Sequence, residues 1–139
     1  MKKMNCDEGV MLIGHGSRSE ESERVFKLQA RRLADMGFCN VYVAFNEVDE
    51  NTIERTLEKM ADDGVRFIYA VPLFIISGVH VKQDIPKKLG IPGGSGGGTV
   101  TVNNKSIMVK YADTIGDDPL IADLLAKKIC GMRSDSIRP

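Results

Sequence analysis

Residues 10 to 18 read VMLIGHGSR: four apolar side chains in succession, a glycine, then a histidine, a second glycine, a serine and an arginine. So short a continuous apolar run suits a strand buried on both faces, as in a parallel sheet, and Gly14 stops it. Ligands of such sheets collect outside the carboxyl ends of the strands, so the polar residues behind Gly14 stand where chemistry begins.

Working outward, Ser19 to Met36 carries acids early (Glu20, Glu21, Glu23) and bases late (Lys27, Arg31, Arg32), which complements a helix macrodipole. Ser22, Phe26, Ala30 and Leu33 make its inner face, and Gly37 closes it. Val41 to Phe45 is a second strand. Ile53, Leu57, Met60 and Ala61 recur at helical spacing on the helix after it, which Gly64 ends. Phe67 to Ile76 is the most hydrophobic stretch and reads as the centre of the sheet, with Pro72 placed near the strand's end because it lacks a ladder donor. A helix starting around Val79 to Val81 puts Val81, Ile85 and Leu89 on one face. Residues 91–105 are so rich in glycine that they read as a mobile loop or an edge-strand detour. Ile107 to Tyr111 is a fourth strand, and Asp117-Asp118-Pro119 is a helix start, with Ile121, Leu124, Leu125 and Lys128 setting the last helix. This alternation predicts a three-layer α/β/α fold around a mainly parallel four-stranded sheet.

The totals fit one domain spanning 1–139, with about 1–8 and 132–139 flexible at its ends. Lys+Arg and Asp+Glu balance at 19 each, so no bulk field draws the chain to nucleic acid or to a membrane surface. Cys6, Cys39 and Cys130 form no CxxC pair and support neither a disulfide framework nor an iron–sulfur cluster. No window has the length of a membrane span and the amino terminus has no signal-like apolar stretch, which reads as a cytoplasmic protein.

Three polar clusters fall at three strand ends: Gly14-His15-Gly16-Ser17-Arg18, Asn46-Glu47 and Ser77-Gly78-Val79-His80. The chain has only 2 histidines, and the fold brings both to one edge of one sheet beside a carboxylate. Either histidine alone is as readily a turn residue as a ligand. Together with a carboxylate they suit a borderline divalent ion such as Co²⁺, Ni²⁺ or Fe²⁺, or they accept protons near neutral pH. Gly14, Gly16 and Gly78 leave room for a bulky ligand. The spacing is neither GxGxxG nor GxxxxGK[ST], so the Rossmann and P-loop readings fail. A phosphatase with a histidine nucleophile is a weaker reading, because Gly14 stands where an arginine is wanted. Arg18 and Lys82 are placed to meet a polycarboxylate, whereas Lys87 and Lys88 read as a solvated helix face.

GHGSR after the first strand, Glu47 after the second, PLFIISGVHVKQDIP at 72–86 after the third, and Tyr111 with Ile115-Gly116-Asp117-Asp118-Pro119-Leu120-Ile121 before the last helix together resemble the short, single-domain sirohydrochlorin cobaltochelatases. That family includes the archaeal sirohydrochlorin nickelochelatases within the class II chelatases. The resemblance runs from about Val10 to Ile129 and is weakest over 90–106, where relatives can carry a histidine-rich loop.

The resemblance implies a chelatase-like fold and a lyase that inserts Co²⁺ or Ni²⁺ into sirohydrochlorin without ATP or another cofactor, in biosynthesis of cobalamin or of coenzyme F430 of methanogenesis. By position it makes His15 and His80 the metal-handling and catalytic histidines, with Glu47 assisting. Gly16, Ser17, Arg18, Ser77, Gly78, Val79 and Lys82 then contact the tetrapyrrole. Longer relatives hold two such modules across a cleft, so a single module implies a homodimer. The other readings are Fe²⁺ insertion for siroheme and a non-catalytic carrier of metal or tetrapyrrole.

Overall fold

The computed structural model describes residues 3–16, 20–46, 50–93 and 96–133. In chain order the elements are β1 (Glu8–Gly14), α1 (Glu20–Asp35), β2 (Val41–Phe45), α2 (Ile53–Asp62) and β3 (Phe67–Pro72). A π-helical turn (His80–Asp84) then leads into α3 (Ile85–Leu89), followed by β4 (Gly97–Val102), β5 (Lys105–Tyr111) and α4 (Pro119–Arg133). The strands form one sheet in the order β2-β1-β3-β5-β4. β1 pairs in parallel with β2 and β3, β3 in parallel with β5, and β4 antiparallel with β5.

β3 therefore lies at the centre, as its hydrophobicity predicts, and Pro72 is its last residue. Its ring sits opposite Ile13 where the ladder ends, so the missing N–H breaks no pairing. The core lies on one side of the sheet. Met11, Ile13, Ile68, Ala70, Ile107 and Val109 point toward α2 and α3 and meet Ile53, Leu57, Met60, Ala61, Ile85 and Leu89. All four α2 positions expected on the inner face are buried, as is the predicted Val81, Ile85, Leu89 stripe. Thr52 caps α2, its side chain accepting a hydrogen bond from the Arg55 N–H at 3.1 Å.

Three expectations need correction. The sheet has five strands, not four: of the two readings of the glycine-rich 91–105 segment, the edge strand is the one the structure shows, over Gly97–Val102. Val100 on β4 is buried against the core, and Asn103 and Asn104 turn the chain with φ of 50° and 63°. Two successive left-handed residues make a tight hairpin whose twist matches the strands, and asparagine is among the few side chains that tolerate it. Gly97 is required there for a steric reason: at φ +150° a Cβ would sit 2.2 Å from the Val109 carbonyl oxygen.

The second correction concerns the end of the third strand. β3 stops at Pro72 and not at Ile76, and residues 73–78 cross without regular structure to a helical segment that begins at Val79, within the expected range. The third concerns the last helix. Asp118 caps α4 as predicted, its carboxylate accepting from the Leu120 N–H at 2.9 Å, but the helix buries none of its residues. Leu124 and Leu125, two of the residues that set the helix in the sequence, are 64% and 58% exposed.

The carboxyl edge of the sheet as a candidate active site

The carboxyl ends of the strands are stitched together beyond the ladder. The Leu73 N–H donates to Ile13 O at 2.8 Å and the Asn46 N–H to Gly14 O at 2.9 Å. The Ala112 N–H donates to Ala70 O at 3.0 Å, and Ile115 and Gly116 donate to Phe74 O and Ile75 O at 2.9 and 2.8 Å. Four chain segments thus converge on one rim, with their backbone polar groups satisfied by one another.

His15 is the first residue past β1 and is exposed on this rim. Its ring meets the edge of Phe74 at a centroid distance of 6.4 Å and an angle of 80°, and Phe74 in turn packs against the core. A T-shaped contact of this kind restricts the imidazole on the side of Phe74. Gly14 is explained by packing and not by ligand approach: a Cβ there would meet the Phe26 ring at 2.6 Å. Gly16 has φ of 97°, a conformation that glycine adopts without strain.

His80 opens the π-helical turn. The turn is fixed over the end of β5 by Tyr111, whose hydroxyl donates to Val81 O at 2.7 Å, and by the Lys82 N–H, which donates to Gly78 O at 3.0 Å. Burial pushes the Tyr111 hydroxyl up to about 12, so it stays protonated and remains a donor throughout the neutral range. π-helical turns inside helices recur at functional positions, and this one carries the second histidine. Ser77, Val81, Lys82, Gly96, Tyr111 and Asp113 surround a cavity of about 410 Å³ beside it. Gly78 faces open space, where a Cβ would meet nothing within 4 Å.

The rim between the two histidines is apolar and uncovered: Ile75, Ile76 and Val79 are 55%, 79% and 65% exposed. Lys82 is exposed at the same edge. Ser17, Arg18 and Glu47, and the side chain of His80, lie outside the described residues. Among the described residues no three His, Cys, Asp or Glu side chains form a metal-holding cluster. The edge therefore brings together His15, Gly16, Ser77, Gly78, Val79, Lys82 and the backbone of His80.

Three residues here have surroundings in the structure that the sequence did not assign them. Tyr111 positions the π-helical turn. Lys88, read as solvated, donates to Asn46 O at 2.6 Å and ties α3 to the end of β2. Asn46 is buried, with both polar atoms of its side-chain amide unpartnered among the described residues. A buried polar residue at a strand's carboxyl end was the available signal for Asn46; Tyr111 and Lys88 gave none, because their partners are backbone carbonyls remote in sequence.

Residues 9–131 match the family model described as CbiX. A sirohydrochlorin cobaltochelatase of Methanosarcina barkeri is 36% identical over 125 residues, covering 87% of this chain and 93% of that protein. One from Methanopyrus kandleri is 35% identical over 133 residues, covering 86% and 93%. Among solved structures, the sirohydrochlorin chelatase SirB of Bacillus subtilis in complex with cobalt superposes with a TM-score of 0.72 at 22% identity, covering 90% of this chain and 50% of that one. A CbiX protein of Marinobacter aquaeolei superposes at 0.64 with 18% identity, covering 93% and 99%.

Proposed function

The chain belongs to the CbiX family, and from that premise we propose that it inserts Co²⁺ into sirohydrochlorin at the carboxyl edge of its sheet, with His15 and His80 handling the metal. The observation that carries this reading is the arrangement of the edge: an exposed histidine in T-shaped contact with Phe74, a second histidine opening a π-helical turn, and a bare apolar rim between them. Ile75, Ile76 and Val79 suit the face of a flat macrocycle, while Lys82 and Arg18 suit its peripheral carboxylates.

Insertion of M²⁺ into the macrocycle forms four metal–nitrogen interactions and releases two pyrrole N–H protons to bases. Imidazole is suited to both halves of that exchange, as a ligand that delivers a partly dehydrated ion and as a proton acceptor near neutral pH. Glu47 takes the protons onward to solvent. The exchange of M²⁺ for two protons balances without any phosphoryl transfer, which is compatible with a reaction that uses no ATP.

The three cysteines are free thiols, and among the described residues no helix is long and apolar enough to cross a membrane. Both suit a reaction in the reducing cytoplasm. The working unit is a homodimer: one module spans half of the cobalt-bound SirB chain, and a second copy supplies the opposite wall of the cleft.

The test is to mix the purified protein with sirohydrochlorin and Co²⁺ and follow the visible spectrum, with Ni²⁺ and Fe²⁺ in parallel. Insertion of Co²⁺ faster than in the protein-free mixture is expected. A rate equal to that control, with tetrapyrrole nonetheless bound, would identify a carrier instead.

A further inference from the structure

One side of the sheet carries the core; the other is only partly covered. α1 lies over β1 and β2 on that side. Beyond it Phe67 and Met108 stand 40% and 43% exposed, on the same face as Tyr69 and Val71. A groove of about 950 Å³ runs along this face, floored by Val10, Leu12, Tyr69 and Val71, walled by Leu33 and Phe38, and bounded at its amino end by residues 3–5 and Glu8. An uncovered apolar groove on the face of a parallel sheet is unusual, because such sheets are buried on both sides.

The same chain holds the matching surface. Leu120, Leu124, Leu125, Ile129 and Met132 on α4 are between 53% and 67% exposed, and they recur at helical spacing as one stripe. At about 1.5 Å per residue the 15-residue helix spans ~22 Å, close to the ~23 Å of a 7-residue strand. The helix does not enter the groove of its own chain. The connector before it is held to residues 74 and 75 by two backbone hydrogen bonds, and α4 leaves from there with every residue from 122 to 133 exposed.

We infer that α4 docks in the groove of a second copy, which returns its own α4, so that the homodimer forms by reciprocal exchange of the last helix. A helix that enters at the carboxyl edge of the partner's sheet and runs back along it completes the missing layer. Exchange of an identical element satisfies both copies by one two-fold operation and leaves no apolar stripe uncovered. It specifies the contact within the homodimer named above, but it rests on packing alone and does not depend on the metal chemistry.

The native cysteines allow a direct test. Cys130 lies in the last turns of α4, whereas Cys6 and Cys39 precede β1 and β2 at the amino edge of the sheet, where an exchanged helix ends. Unlabelled and isotope-labelled chains are mixed, unfolded and refolded together, treated with a short bismaleimide and mapped by mass spectrometry. Links from Cys130 to Cys6 or Cys39 in mixed-isotope pairs, as frequent as in pure pairs, are expected. Links found only in pure pairs would place the helix in its own chain, and no link from Cys130 to either cysteine would remove it from the groove; each overturns the inference.

Sedimentation supplies a second reading. In Leu124→Asp/Leu125→Asp the dimer dissociation constant should rise about a hundredfold or more, since two carboxylates would enter an apolar groove, while circular dichroism shows the sheet retained. An unchanged dimer overturns exchange. Insertion activity enters neither measurement, so failure of the exchange and failure of the chelatase reading are separately visible.

Discussion

His15 owes its place to residues that do no chemistry. Gly14 keeps a Cβ out of the Phe26 ring, and Phe74 restricts the imidazole on one side. On the other side of the rim, Tyr111 holds the π-helical turn through one hydrogen bond to Val81 O. Removing that donor in Tyr111→Phe should cost about 1 kcal/mol at neutral pH by urea unfolding. The pH dependence has a definite sign. The folded phenol is raised from its ordinary 10 to about 12, so its contribution is complete below pH 10 and is lost as pH rises toward 12. The alkaline fall in stability across that interval should be shallower in Tyr111→Phe, and an equally steep fall would show that another group governs it. The place of both histidines past strand ends was legible from the sequence because each follows an apolar run, although either alone reads as readily as a turn residue. The contacts of Tyr111 and Lys88 were not, since each donates to a backbone carbonyl brought near only by folding.

At the scale of elements, hydrophobic periodicity located every strand of the parallel sheet, and it named the inner face of α2 without error. It left two readings open at β4, where glycine density competed with the alternating Thr99-Val100-Thr101-Val102 and the Asn103-Asn104 turn. A strand there is stabilised by pairing with β5 and by burial of Val100, neither of which local composition displays. Gly97→Ala should therefore destabilise by about 1–3 kcal/mol, because the new Cβ meets the Val109 carbonyl and the backbone angle disfavours a side chain. Thermal unfolding reads this directly; an unchanged midpoint would mean that β4 contributes nothing to the folded state. The periodicity of α4 was also legible, but what it packs against was not, because a stripe has the same spacing whether its partner is its own sheet or another copy's.

For the whole molecule, one sheet edge gathers the polar residues while part of one sheet face and the last helix are left uncovered. The first arrangement fits membership of the CbiX family and insertion of Co²⁺ into sirohydrochlorin; the second is the surface from which we infer helix exchange between two copies. The most direct measurement is the initial rate of Co²⁺ insertion into sirohydrochlorin by His15→Ala and by His80→Ala beside the parent chain, each first shown to unfold within about 0.5 kcal/mol of the parent. Metal handling by two histidines predicts that each substitution lowers the rate by about 10²–10⁴-fold. Parent-like rates in both variants would contradict it.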